Sequence, residues 1–172
     1  AGFIGSAFVR LLIGDCSSNG MPGDTLLRRV SPVVGCKVTF SKVVVVDKLT
    51  YAGDLKRLEE SKGKFKFYKT DICNKKQIDL IFAKEKPEIV VHFSAESHVD
   101  RSINDATLFI ETNIKGTQIL IDASRKYKIE KFIFISTDEV YGEIANGKFN
   151  EGSLIKPNSP YAASKAAADL LV

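Results

Sequence analysis

Residues 43–46 are four consecutive valines, and Asp47 follows them directly. β-Branched side chains favour extended backbone over helix. A strand with one wet face alternates apolar and polar residues, and this run has no polar face to offer water. Such a strand needs cover on both sides, which a parallel sheet flanked by helices provides. The rest of the chain keeps to that plan. "KFKFYKTDI" (64–72), "EIVVHFSA" (88–95) and "KFIFIST" (131–137) read as strands. Residues 2–13, 54–61, 75–85, 105–126 and 159 onward read as helices. Strands alternating with helices predict an α/β fold with a doubly wound parallel sheet of Rossmann type. Residues 14–37, broken up by Gly, Ser and Pro, predict a surface insertion with a short helical turn at 26–30.

With 172 residues, 44% apolar and 27% charged, the chain has the size and make-up of one globular domain. The formal charge of +4 is spread among mixed signs, so neither nucleic acid nor a membrane surface is an expected partner. No apolar run reaches membrane-spanning length and no leader pattern opens the chain, which predicts a cytoplasmic setting. Cys16, Cys36 and Cys73 show neither metal-ligand spacing nor a disulfide framework, so no metal site is expected. The chain opens on Ala1 at a helix and closes inside another helix. That predicts a piece of a longer protein: residues 1–172 as a partial dinucleotide-binding domain, without a first strand or a substrate-binding domain. In the doubly wound order the first strand is central, so the piece alone is expected to fold poorly and be inactive.

Several strand ends carry polar residues suited to chemistry. "AGFIGS" sets Gly2 and Gly5 at a helix start, where bare backbone and the helix dipole suit a pyrophosphate. Asp47 stands where an acid binds the adenosine ribose, although the interval from the glycines is about twice the usual spacing of about 20 residues. The 14–37 insertion would account for the excess. Asp71 ends the next strand as a candidate adenine contact, or as a plain turn residue. Ser94 and Ala95 are small enough for a cofactor to pass. Ser97, His98 and Asp100 lie too close in sequence for a hydrolase triad, and no G-x-S-x-G elbow is present. His92, inside its strand, is expected to pack there. Tyr161 and Lys165 are four apart, on one helix face. A phenol titrates near pH 10 and needs a nearby cation to act as a base; Lys165 is placed to supply it. The strand ending at Thr137 then presents two adjacent carboxylates, Asp138 and Glu139.

"AGFIGS", "DKLTYAGDL", "TDI", "AESHVDRSI", "ETNIKGT", "STDEVYGE" and "SPYAASKAAAD", in this order, resemble the extended short-chain dehydrogenase/reductases. Within that superfamily the chain is similar to the dTDP-glucose 4,6-dehydratases. The resemblance implies that Tyr161, assisted by Lys165 and Thr137, takes the proton of the sugar C4 hydroxyl while hydride passes to NAD. Glu139 would remove the C5 proton, Asp138 would donate to the departing C6 hydroxyl, and hydride would return to C6. It implies that Gly2, Phe3, Ile4, Gly5, Asp47, Lys48, Leu49, Thr50, Asp71, Ile72, Phe93, Ser94, Ala95 and Thr112 line NAD. Tyr161 and Lys165 would lie at the nicotinamide ribose, with Ser97 and Thr137 touching the sugar nucleotide. The implied substrate is dTDP-glucose and the implied assembly a homodimer. Two alternatives stand beside this reading: a nucleotide-sugar epimerase or decarboxylase of the same superfamily, and a non-catalytic NAD-binding protein. The Asp138-Glu139 pair and the Thr137/Tyr161/Lys165 set respectively argue against them.

Overall fold

The computed structural model describes residues 2–13 and 41–172. The expected insertion at 14–37 lies outside the described residues. Helix α1 spans Phe3–Ile13, and strand β1, Val44–Asp47, contains three of the four valines. A 3₁₀ turn over Leu55–Ser61 begins where the Asp54 side chain accepts the Lys56 N–H. Strand β2 is Lys66–Lys69 and helix α2 is Lys75–Glu85, capped by the Asn74 side chain on the Gln77 N–H. Strand β3, Ile89–His92, leads to a short helix α3, Val99–Asn104.

The single helix expected over 105–126 is a composite. It comprises an α turn α4, Thr107–Phe109, a π-helical stretch, Ile110–Gly116, and helix α5, Thr117–Lys126. Asp105 instead closes α3 and accepts the Thr107 N–H, so the helix starts two residues later. Strand β4, Lys131–Phe134, is followed by a 3₁₀ turn, Asp138–Tyr141, and by helix α6, Pro160–Leu171. Ser159 caps α6 and Pro160 opens it, the arrangement that suits a residue without an N–H.

All strand pairing among the described residues is parallel, as the valine run predicts. β1 pairs with β2, with Asp47 opposite Lys69, and β3 pairs with β4, with His92 opposite Phe134. The two ladders are not hydrogen-bonded to each other among the described residues. One apolar cluster nevertheless serves both. Ile72, Ile78, Phe82, Ile119, Leu120 and Ala123 pack together, with Val46 of β1, Val90 of β3 and Phe132 of β4 against them. Helices α2 and α5 therefore cover one face of both ladders. On another face Val45 and Leu58 pack with Val9 of α1. The C-terminal ends of all four strands, where ligands bind in open α/β sheets, carry the residues considered next.

Candidate active site

β1 ends at Asp47, whose Oδ1 accepts the Leu49 N–H at 2.6 Å. This tight turn puts Leu49 at φ +58°, a conformation rare for a branched residue. Gly53 closes the loop, its N–H bonded to the Thr50 carbonyl. A Cβ there would lie 2.9 Å from Leu49 Cα and 3.3 Å from Asp47 Oδ1, so the close return requires glycine. Lys48 reaches across to β2's end, with Nζ 2.6 Å from Asp71 Oδ2. The other oxygen of Asp71 accepts the Cys73 N–H at 2.9 Å. Asp47, Lys48 and Asp71 thus share one end of the crevice. Thr50 is exposed beside them. Ile72 sends its side chain into the core at 6% exposure, which leaves only its backbone to face a ligand.

The N-terminus of α1 rests against the residue after β3. The Cβ position of Gly5 is 3.5 Å from Phe93 Cβ, and the Phe8 and Phe93 rings are 5.2 Å apart. Phe3 and Ile4 in that first turn are 77% and 63% exposed, an unusual place for large apolar side chains. Ser94, Ala95 and Thr112 are half-buried, and Ser97 is exposed. His92 is buried as expected, and its pKa is pulled down to about 4 by burial. His98 and Asp100 are exposed.

At the end of β4, Thr137 caps the following 3₁₀ turn: its Oγ1 accepts the Glu139 N–H and donates to Asp138 Oδ1, both at 3.4 Å. Tyr161, 9% exposed in the first turn of α6, has Thr137, Asp138 and Glu139 near its phenol. Burial pushes the phenol above its ordinary value; the Thr137 contact offsets part of this, and the charges of Glu139 and Asp138 add to it. The structure therefore joins Thr137, Asp138, Glu139 and Tyr161. Lys165 is placed differently from expectation. Its ammonium donates to the Ile135 carbonyl at 2.6 Å and sits 4.0 Å over the Phe134 ring, and burial lowers it to about 8. The expected lowering of the phenol by Lys165 gives way to burial and two nearby carboxylates, which act in the opposite direction.

The sequence reading missed a buried polar network beneath these residues. Asn113, 2% exposed in the π-helical stretch, accepts the Glu96 N–H at 2.8 Å and donates to the Glu96 carbonyl at 2.9 Å. It also donates to Ser164 Oγ at 2.8 Å, and Ser164 in turn donates to the Tyr161 carbonyl. Ser102 of α3 accepts the Tyr161 N–H at 3.1 Å. Thr117 gives its hydroxyl proton to the Asn113 carbonyl, so it can only accept from His92 Nε2, 2.9 Å away, which fixes the Nε2–H tautomer. One signal was available. Asn113, Gly116 and Thr117 fall on the helix face that Phe109 and Leu120 make apolar, and polar residues at core positions demand partners.

A family model described as GDP-mannose 4,6 dehydratase matches residues 25–172. The chain belongs to the GDP-mannose 4,6 dehydratase family. It is 42% identical to the dTDP-glucose 4,6-dehydratase of Streptomyces niveus, covering 99% of this chain and 46% of that protein. It is 44% identical to the dTDP-glucose 4,6-dehydratase of an Actinoplanes species, covering 99% and 48%. This member of the GDP-mannose 4,6 dehydratase family thus spans about half the length of the curated relatives it matches. Among solved structures, the dTDP-glucose 4,6-dehydratase of Streptomyces venezuelae, with NAD bound, superposes with a TM-score of 0.78 at 40% identity, covering 99% of this chain and 48% of that one. The UDP-Glc/GlcNAc 4-epimerase of Campylobacter jejuni superposes at 0.79 with 25% identity, covering 99% and 45%. The scaffold is thus shared between a dehydratase and an epimerase.

Proposed function

We propose that the protein performs NAD-dependent dehydration of a nucleoside-diphosphate glucose, dTDP-glucose, to the 4-keto-6-deoxy sugar. The observation that carries this reading is the gathering of Thr137, Asp138 and Glu139 about Tyr161. Reversible oxidation at C4, which an epimerase also performs, needs the hydroxyl and the phenol. Elimination of water needs an acid and a base in addition, and the carboxylate pair supplies both. The identity to dTDP-glucose 4,6-dehydratases supports the same choice.

The residues fit NAD. A helix N-terminus has N–H groups without intrahelical partners, and a Cβ at Gly2 would meet nothing within 4 Å among the described residues, which suits the approach of a pyrophosphate. Asp47 at the end of β1 suits a ribose diol. On this reading Phe3, Ile4, Gly5, Lys48, Leu49, Thr50, Asp71, Phe93, Ser94, Ala95 and Thr112 would line the dinucleotide, with Ile72 contributing backbone. When bound, NAD takes up hydride from the sugar and returns it. Tyr161 accepts the C4 hydroxyl proton, its phenol oriented by Thr137. Lys165, one helical turn away, supplies the cation for that proton transfer once its ammonium leaves the Ile135 carbonyl for the phenol. Oxidation at C4 acidifies the C5 hydrogen. Glu139, half-buried, accepts that proton, while Asp138 delivers one to the leaving C6 hydroxyl. Ser97, exposed beyond β3, contacts the sugar nucleotide. The same reading has the protein acting as a cytoplasmic homodimer.

The test is to incubate the protein with dTDP-glucose and NAD and to weigh the product. A product lighter by one water supports dehydration; an isomer of unchanged mass indicates epimerisation and contradicts it. UDP-glucose and GDP-mannose as competitors identify the nucleotide.

A further inference from the structure

Lys48 raises a difficulty for cofactor choice. It follows Asp47 directly, and a lysine beside the adenosine ribose would attract a 2′-phosphate as strongly as the aspartate repels it. The structure resolves the conflict. Lys48 Nζ lies 2.6 Å from Asp71 Oδ2, a bond between the ends of two paired parallel strands. Asp71 is itself held, its Oδ1 accepting the Cys73 N–H. Glu96, on the loop after β3, adds a further negative charge facing Lys48. The lysine is thus neutralised by carboxylates that come from outside its own loop.

We infer that the Lys48–Asp71 ion pair is a specificity device that withholds Lys48 from a 2′-phosphate and so selects NAD against NADP. This rests on the NAD-binding reading given above. It assigns Asp71 a role other than a simple adenine contact, because the carboxylate acts through Lys48 on a phosphate it does not itself touch. It also explains why a lysine next to Asp47 is compatible with NAD preference.

The experiment is calorimetric titration of the intact protein with NAD and with NADP. Variants are Asp71→Asn, Lys48→Met and the double substitution, each checked for folding by circular dichroism. The ratio of the two affinities is read, since a general loss of stability weakens both ligands alike. Asp71→Asn is expected to shift the ratio toward NADP by about fivefold, the effect of one ordinary exposed charge interaction. Adding Lys48→Met should cancel the shift, and Lys48→Met alone should move the ratio further toward NAD. If Asp71→Asn weakens NAD and NADP by the same factor, Asp71 is only a general contact and the inference is overturned. A shift that persists in the double variant overturns it equally. Should the unsubstituted protein bind neither dinucleotide, the cofactor reading itself fails. Lys48→Met changes an exposed side chain, so it supplies an answer even if Asp71→Asn does not fold.

Discussion

Replacing Asn113 with alanine should destabilise the protein by about 2–4 kcal/mol. The amide makes hydrogen bonds of 2.8, 2.9 and 2.8 Å, to the Glu96 N–H, the Glu96 carbonyl and Ser164 Oγ. Alanine removes all of them. A buried polar group left without a partner costs about 1–3 kcal/mol. Glu96 is half-buried, so water can restore part of the loss there, whereas the buried Ser164 hydroxyl keeps its bond to the Tyr161 carbonyl but loses its only donor. Counting roughly two groups at the lower part of that range gives the stated figure, a large share of the ~5–15 kcal/mol that holds a domain together. For a chain of this size the melting temperature should fall by about 5–15 °C. Asn113→Asp keeps the acceptor but turns a carboxylate oxygen toward the Glu96 carbonyl and Ser164 Oγ, so it should cost at least as much. Thermal unfolding followed by circular dichroism reads both. A change of less than a degree in Asn113→Ala would show that the network carries no net energy and that the reasoning is wrong.

The His92 imidazole is kept neutral by burial, with a pKa of about 4 against an ordinary 6.5. The unfolded chain therefore binds the extra proton first, and stability should fall by up to about 3 kcal/mol as pH drops from 6.5 to 4. Melting temperatures across that window should show the slope, and His92→Gln, which keeps a donor for Thr117, should flatten it. The Glu85 carboxyl, held at about 2 by Lys42, Lys66 and Tyr68, begins to lose its contribution near its ordinary 4.5, so the slope between pH 6.5 and about 5 isolates His92. At Gly116 an added Cβ would fall 2.5 Å from Ile72 Cδ1 and 2.8 Å from Ile72 Cγ1. Gly116→Ala should therefore cost about 1 kcal/mol, overpacking of 1–3 kcal/mol less the gain in helix propensity. The penalty should shrink in an Ile72→Val background, and a stabilised single variant would refute the close approach.

The parts of the fold legible in the sequence are those encoded locally. The valine run needed cover on both faces and became a parallel strand. The helix expected over 75–85 formed with matching ends, and the helix expected from 159 begins at Pro160, capped by Ser159. Helical spacing likewise put Tyr161 and Lys165 on one face of α6. What escaped depended on tertiary partners. The π-helical stretch lets Asn113 meet Glu96 and Ser164, residues far apart in sequence, and no local propensity announces it. Lys165 could be placed on the correct face, but its bond to the Ile135 carbonyl depends on how α6 lies over β4. The short helix α3 was hidden because "VDRSIN" carries too few apolar residues to set a period. The Lys48–Asp71 pair joins two strand ends whose register only the folded sheet reveals.

The central claim is that Asp138 and Glu139 add elimination to an oxidoreductase site. Single-turnover absorbance with Glu139→Gln and dTDP-glucose tests it most directly. General base catalysis is worth about 10²–10⁴-fold, so water loss should slow by that factor. Oxidation at C4, which relies on Tyr161, should proceed, and the absorbance of reduced nicotinamide should rise and persist. Loss of that absorbance as complete as the loss of dehydration would contradict the division of labour between Tyr161 and Glu139.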